Sequence, residues 1–371
     1  MTRLLVVCHP EDVVTEFLSV LADPAPLRLA VVADGTVVDL PPGGLDARLP
    51  CVVELMGRAT GDEPTAGHVP AGGNGPVWTH CPADERLDRA KVGVWAAQGR
   101  AVTRCSTGVC PHLRFVADHL TGLTRAQVAA KLDVLGAHAA PLVERAGGPR
   151  GIGIAAVADV ERYVDTTPAQ AARLFALRHD WHPDVDLGAE PWDFAASPYE
   201  RGRLRATAGW VARHARAGAR LAELGSCEGA LTELLLADGF TVDAFEPVAA
   251  FADRFAARAH ATWPGRVTTG TATIAELAAA GGPRADAYLL IEMLNYVADP
   301  AVCDGLATDV LFIAMSPFAV RTRVVPWLRD NPVWAAVEVT PLAAPRFELV
   351  CDGLAYHRKL GSAGVLARRR R

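Results

Sequence analysis

The sequence predicts an α/β protein of two domains, each a largely parallel sheet with helices on both faces, and three observations predict it. The chain has 371 residues, more than one ordinary hydrophobic core serves. Apolar runs of strand length alternate with stretches of helical spacing in both halves, the pattern of strand-helix-strand units around a parallel sheet. Between the halves lies His182-Pro-Asp-Val-Asp-Leu-Gly-Ala-Glu-Pro, whose prolines and acids have the composition of a linker. The domains are therefore expected over 1–185 and 186–371.

In the first domain Arg3 to Cys8 and Leu27 to Ala33 read as buried strands around a helix over Glu11 to Leu21. Residues 57–76, rich in Gly, Pro, Thr and Ala, read as a loop. Then come a strand at Val77 to Thr79, a charged helix over Asp84 to Gly99, a strand at Ala101 to Cys105 and a long helix over Arg125 to Arg145. A segment from Ile152 to Val164 and a helix over Pro168 to His179 complete it. The second domain opens with an arm, Trp192 to Tyr199, and a helix over Glu200 to Ala217. Strands at Leu221 to Leu224, Thr241 to Glu246 and Ala287 to Glu292 follow, with helices at Ala230 to Asp238 and Val248 to Ala261. Later strands fall near Val310 to Met315, Phe347 to Asp352 and Gly364 to Leu366. In such a doubly wound order a ligand is expected at the carboxyl ends of the first strands.

Composition narrows the function classes. Half of the residues are apolar, 21% are charged and the net charge is −5, so the broad basic footprint that duplex nucleic acid demands is absent. The basic run Arg368 to Arg371 reads as a frayed tail. No apolar stretch approaches the roughly 20 residues of a membrane-spanning helix, and the N-terminus lacks the order of a secretion signal, so a cytoplasmic location is expected. Eight cysteines lie at 8, 51, 81, 105, 110, 227, 303 and 351 without a C-x-x-C pair, which fits buried reduced thiols.

The stretch Arg220-Leu-Ala-Glu-Leu-Gly-Ser-Cys-Glu-Gly-Ala-Leu-Thr is an apolar strand that ends in a glycine turn and opens a helix. Gly225 and Gly229 let backbone approach a ligand closely, with Ser226 between them. Glu246 stands at the tip of the second strand, where an acid accepts hydrogen bonds from both ribose hydroxyls. A dinucleotide site shares this logic but wants a third glycine, and Glu228 would repel a pyrophosphate. S-adenosyl-L-methionine is therefore the expected cofactor, with Glu223 placed to meet its cationic amino-acid end.

Over roughly residues 190–300 the chain resembles class I methyltransferases of the NodS-like group, which have Rossmann-like domains and modify amino sugars and related natural products. The resemblance rests on Glu190-Pro-Trp-Asp-Phe-Ala-Ala-Ser-Pro-Tyr-Glu, on the glycine turn, and on Ala287-Tyr-Leu-Leu-Ile-Glu-Met-Leu-Asn-Tyr-Val. It implies that the arm with Trp192 and Tyr199 folds over the cofactor, that Tyr199 and Arg203 lie near its carboxylate, and that Ile291 lines the site. It also implies that Glu292 and Tyr296 border the methyl group. Glu292 is the leading base, with a proton-free role as a cofactor-site carboxylate as the alternative. Two departures stand out. Cys227 replaces the turn's middle glycine, and Gly270-Thr271-Ala272 stands where relatives place an acid for the adenine amino group. Met315 to Asn331, with Phe318, Arg321, Arg323 and Trp327, reads as a substrate-facing loop or a plain surface crossover.

In the first domain Leu4-Leu-Val-Val-Cys-His-Pro-Glu-Asp places His9 and Asp12 just past a buried strand, where they can share a divalent metal with Glu11 as base on a bound water. This is similar to the His-Pro-Asp-Asp motif of the PIG-L/LmbE-like zinc deacetylases. Trp78-Thr-His-Cys-Pro, Ala130-Lys-Leu-Asp-Val-Leu-Gly-Ala-His and Glu161-Arg-Tyr follow in that family's order. The family's third ligand, a histidine in a His-Pro-Asp-His run, is missing: the chain reads Ala83-Asp-Glu-Arg-Leu-Asp-Arg. The domain is therefore expected to be a degenerate deacetylase fold, kept for structure, substrate docking or dimerisation. The alternative is a bifunctional chain with an active zinc N-deacetylase, in which His80 or His112 completes the metal shell. A third reading is a non-catalytic scaffold that binds the cofactor.

Overall fold

A computed structural model describes residues 2–58, 63–71, 75–107, 117–145, 159–185, 187 and 190–370, with the side chains of 138–145 left aside. The chain forms two compact units, Met1–Trp192 with Leu349–His357, and Asp193–Glu348 with Arg358–Arg371.

The first unit is built on β1 (Arg3–Val7), which pairs in parallel with β2 (Leu27–Val31) and β4 (Val77–Thr79). β3 (Thr36–Asp39) adds antiparallel to β2, and β5 (Thr103–Ser106) parallel to β4. β6 (His119–Gly122) and β7 (Val160–Thr166) close the other edge in the order β3-β2-β1-β4-β5-β7-β6, antiparallel at both edges. Alternation of side chains along a strand splits the core in two. Leu5, Val7, Leu29 and Val31 share a cluster with Val13, Phe17 and Leu21. Val6, Cys8, Ala30 and Val32 share the other with Val92, Trp95 and Ala96.

The expected helix over Glu11 to Leu21 is two helices, α1 (Glu11–Glu16) and α2 (Leu18–Ala22), broken at Phe17. The carboxylate of Glu161, far away in sequence, accepts the backbone N–H groups of Leu18 and Ser19 at 2.9 Å each, and so caps α2 from outside. α3 (Leu45–Arg58) escaped the sequence reading because Pro50 lies inside it, a residue that usually ends helices. It is tied down by buried Arg48, which donates to the carbonyls of Leu21, Pro41 and Ala25. α4 (Leu87–Ala97) begins three residues later than expected, α5 spans Arg125–Arg145, and α6 (Pro168–His179) starts with a Thr167–Gln170 capping box. The expected start at Ile152 lies outside the described residues, as does His112.

The second unit begins with α7 (Pro198–His214) and continues through β8 (Arg220–Leu224), α8 (Ala230–Ala237), β9 (Thr241–Phe245) and α9 (Ala249–Thr262). Next come β10 (Val267–Gly270), α10 (Ile274–Ala280), β11 (Ala287–Ile291) and β12 (Val310–Met315). Where a substrate-facing loop or crossover was expected, the chain is helical: α11 (Pro317–Ala319), a π-turn over Val320–Val324, and α12 (Val325–Asp330). Ser316 caps this segment, and the wider π-turn precedes Pro326, which lacks an N–H for the regular register.

β13 (Trp334–Ala343), β14 (Arg346–Val350), β15 (Ala355–Lys359) and β16 (Ser362–Arg369) finish the chain. The sheet order is β10-β9-β8-β11-β12-β16-β13, while β14 and β15 form a separate ribbon. β16 lies antiparallel between β12 and β13. The same alternation covers both faces: Leu221, Leu289 and Phe312 pack with Trp210 and Leu235, and Ala222, Leu290 and Ile313 pack with Leu277 and Leu328. The basic tail is ordered rather than frayed through Arg370. Arg369 stacks over Trp334 and donates to Thr308 and Leu306 carbonyls, and Arg370 donates to those of Asn331 and Trp334.

Candidate functional site

In both sheets the strand order reverses beside the first strand, between β1 and β4 and between β8 and β11, and a crevice outside the strand ends forms at such a reversal. Glu223, the glycine turn, Ile291 and Glu292 lie at or just past the ends of β8 and β11, and His9, Asp12 and His80 follow β1 and β4.

In the second unit the turn after β8 is held by its own backbone. The N–H groups of Gly225 and Ser226 both donate to the Phe245 carbonyl, at 2.7 and 3.1 Å, and Gly229 donates to that of Ser226. Gly225, Cys227 and Gly229 all have left-handed φ values, 72°, 51° and 78°, so Cys227 occupies a conformation that glycine takes without penalty. Side chains also account for the two glycines. A Cβ at Gly225 would collide with Met293, and one at Gly229 with Phe255.

Glu246 meets this turn. Its Oε2 accepts the N–H of Cys227 and its Oε1 that of Val248, both at 2.8 Å. Burial raises its pKa, against the pull of these two donors. Glu223 sits deeper: burial pushes its pKa up to about 8, and the Thr232 hydroxyl donates to it. It is thus a neutral acid at pH 7.

Met293 belongs to a short 3₁₀ turn, Met293–Tyr296, that follows β11, and Glu292 caps it with a left-handed φ of 59°. Backbone strain of this sort gathers at functional sites. Burial lifts the Glu292 carboxyl to about 7, with Arg203 lowering and Glu200 raising it. Asn295 approaches Glu292 at 3.4 Å, Ile291 is half-buried at the strand end, and Tyr296 is exposed.

Arg203, on α7, is 6% exposed, and its Nη1 is buried without a hydrogen-bond partner among the described residues. Its Nε donates to Glu200 Oε2 at 2.7 Å, and Lys359 Nζ donates to Glu200 Oε1 at 2.9 Å. Tyr199 is buried beside them under the Lys359 ammonium, 5.7 Å from the ring centre, and feels the Glu292 charge. The structure therefore brings Tyr199, Arg203 and Glu292 together and places Gly225, Ser226, Gly229 and Glu246 in one turn. Trp192 falls in the first unit, where its N–H donates to Glu190.

The first unit's metal candidates are divided: His9 groups with Cys8 and Asp88, and His80 with Glu16 and Asp84, the ligand atoms of each group lying within 4.8 Å of one another, while Asp12 is in neither. Asp12, fully buried, accepts the backbone N–H of His9 at 2.9 Å and lies 3.0 Å from His80 Nε2. Its other oxygen is held by Arg89, whose Nη1 also donates to Glu16 at 2.6 Å. Burial raises the Asp12 pKa, but Arg89 and His80 outweigh it and hold the group well below the usual carboxylate range. Burial likewise disfavours a charged His80, yet Asp12 and Glu16 carry it up to about 10. The Cys8 N–H nevertheless donates to Nε2 at 2.9 Å, a bond that leaves no proton on that nitrogen. The His9 ring instead faces Asp88, at 3.5 Å, and Glu11 is buried on α1.

A zinc ligand set needs neutral imidazole and unclaimed carboxylate. Here Arg89 already holds both Asp12 and Glu16, the Cys8 N–H already occupies His80 Nε2, and His9 faces Asp88 instead, so His9, Asp12 and His80 do not fit one metal as a set. Sequence reasoning missed Arg89 and Glu16 as the partners of this cluster. Glu16 was legible in principle, one helical turn after Asp12; Arg89 was not, since nothing in its spacing points to β1. Glu200 and Lys359 were missed in the second unit, the latter because 159 residues separate it from its partner.

No family model and no curated protein matches the chain. Among solved structures, it is similar to the N-methyltransferase NodS from Bradyrhizobium japonicum WM9 in complex with S-adenosylhomocysteine, at 18% identity and TM-score 0.37, over 49% of this chain and 92% of that one. It is also similar to the magnesium protoporphyrin IX methyltransferase from Synechocystis PCC 6803 with bound SAM, at 16% identity and TM-score 0.37, over 48% and 85%. A third is the 1,6-didemethyltoxoflavin-N1-methyltransferase of Burkholderia thailandensis, at 18% identity and TM-score 0.33, over 46% and 79%.

Proposed function

We propose that the second unit binds S-adenosyl-L-methionine and transfers its methyl group to an amino or hydroxyl group of a small molecule such as an amino sugar or natural-product intermediate. The observation that carries this reading is the buried, unpartnered Arg203 Nη1, close enough to Glu292 to lower its pKa, where the next residue, Met293, packs against Gly225. An unmet buried donor on a cation is a demand for an anion, and a ligand's amino-acid carboxylate answers it. Glu246 keeps room for a diol, since a carboxylate has about four acceptor positions and two backbone N–H groups use one each.

The cofactor, when bound, supplies an electrophilic methyl on a sulfonium. Glu292, with a pKa of about 7, is matched to accept a proton from an acceptor amine or hydroxyl near neutral pH. Tyr296, exposed at the same turn, is placed to meet the acceptor. The guanidinium of Arg89 in the first unit supports reading that unit as a degenerate deacetylase-type fold without metal chemistry.

Isothermal titration of the full chain with S-adenosylhomocysteine tests the assignment. Binding is expected, and Gly229→Asp, which drives a carboxylate into Phe255, should abolish it. S-adenosylhomocysteine release from S-adenosylmethionine with a panel of amino-sugar acceptors should rise through pH 7 as Glu292 ionises, and Glu292→Gln should lose roughly 10²- to 10⁴-fold in rate. A protein that shows no heat and no thermal shift at saturating ligand sinks the reading. Tight binding without turnover on any acceptor leaves the scaffold reading in its place.

A further inference from the structure

We infer that Lys359 is a positioning residue for the ligand's carboxylate, because it anchors Glu200, the carboxylate that in turn holds Arg203 by Nε and so fixes the guanidinium whose Nη1 has no partner among the described residues. The inference rests on the cofactor reading of this unit and extends it to a residue outside the expected site.

The start of α7 is where these groups meet. Ser197 caps the helix by accepting the Glu200 N–H at 3.1 Å, and the Glu348 carboxylate accepts the Tyr199 N–H at 2.9 Å and the Ser197 hydroxyl. Glu200 is thereby fixed at the third helical position, and one turn of spacing brings Arg203 to it. An arginine beside a carboxylate ordinarily takes both oxygens in a fork. Here Glu200 holds Arg203 through Oε2 and Nε and holds Lys359 through Oε1, while Arg203 Nη1, on the other side of the guanidinium, has no partner among the described residues.

The charge count points the same way. Glu200 and Arg203 are 7% and 6% exposed, and the Lys359 side chain is 10% exposed. Two cations thus bond one carboxylate; burial disfavours an ionised Glu200, but Arg203 and Lys359 outweigh it and hold the group below its ordinary pKa. The surplus positive charge is left on the guanidinium edge that has no partner. Its chemical complement is a carboxylate, the group that S-adenosylhomocysteine carries and 5′-methylthioadenosine lacks.

That difference supplies the test. Titrate the full chain with each compound, for the wild type and for Lys359→Met, Lys359→Arg and Glu200→Gln. The wild type should prefer S-adenosylhomocysteine. Lys359→Met and Glu200→Gln should weaken that ligand roughly ten- to hundredfold, the scale of one charge-assisted bond, and leave 5′-methylthioadenosine unchanged. Lys359→Arg should recover most of the loss. If both ligands weaken in parallel, or if Lys359→Met binds S-adenosylhomocysteine like the wild type, the positioning role is overturned. A wild type that binds neither compound overturns the cofactor reading itself, which separates the two failures.

Discussion

At the carboxyl ends of β1 and β4 the crevice of the first sheet holds Asp12, Glu16, His80 and Arg89, each buried and each bonded to another of the set. At the ends of β8 and β11 the second sheet holds a turn of bare backbone, two carboxyls with raised pKa values near and above neutrality, and a guanidinium with a donor left over. The same topological feature thus carries a dense network of paired charges in one unit and a turn of bare backbone beside a single guanidinium in the other. Glu16 Oε2, His80 Nδ1 and Arg89 Nε also lack a hydrogen-bond partner among the described residues, so what separates the units is the charge pairing: in the first, cations and carboxylates already face one another.

The strongest way to break this comparison is Arg89→Met. It leaves Asp12 and Glu16 with His80 and, for Asp12, Arg86 at 3.7 Å, and removing one partner of a buried ion network costs about 3–5 kcal/mol. Urea unfolding should show that loss, and hydrogen exchange should place it in α1 and α4 of the first unit. A variant within about 1 kcal/mol of wild type would mean that water already screens the cluster, and the contrast between the units would fail.

Glu223 gives the next largest effect, with its sign fixed by linkage. Its pKa rises from 4.5 unfolded to about 8 folded, so its contribution is most favourable below pH 4.5 and is lost as pH rises through 8. The full shift corresponds to at most roughly 5 kcal/mol, and a measured change near half of that is expected. Glu223→Gln keeps an acceptor for Thr232 and carries no charge, so its stability should decline less steeply between about pH 5 and 8 than the wild type's, the remaining slope coming from Glu292 and Glu246. Parallel stability curves would show that Glu223 is solvated, not sealed beneath the turn.

Much of this contrast was legible in the residues. The strand-turn-helix around Gly225 and Gly229 announces itself because glycine alone meets φ near 70° twice within five residues without strain, and Glu246 follows at the tip of the next strand. The alternation of Leu221, Ala222, Glu223 and Leu224 likewise declares a strand covered on both faces. The edges were not legible. β10 is four residues of which two are threonine, β13 exposes Val337 and Val339 on its outer edge, and α10 is mostly alanine, so none carries a strong apolar period. The tail arginines look like a solvated run because their acceptors are carbonyls, which every sequence has and none displays. His9 and Asp12 were found, but the partner that decides their chemistry, Arg89, lies 77 residues away. Spacing shows which side chains share an element; it does not show which cation a buried carboxylate meets.

Arg203→Met should have the smallest effect on stability and the sharpest effect on binding. Glu200 keeps Lys359 when Arg203 is gone, so no carboxylate is stranded, and the unmet Nη1 donor disappears with the side chain. The loss of one hydrogen bond to a charged group, less the relief of that desolvation, comes to about 1–2 kcal/mol. S-adenosylhomocysteine affinity should nonetheless fall at least about tenfold, while the first unit's unfolding is unchanged. If Arg203→Met were as destabilising as Arg89→Met, the guanidinium would be a structural cation in both units, and its free edge would not report a ligand. If it were mild and binding were intact, the carboxylate would have to be held elsewhere, with Tyr199 the nearest alternative on the same helix.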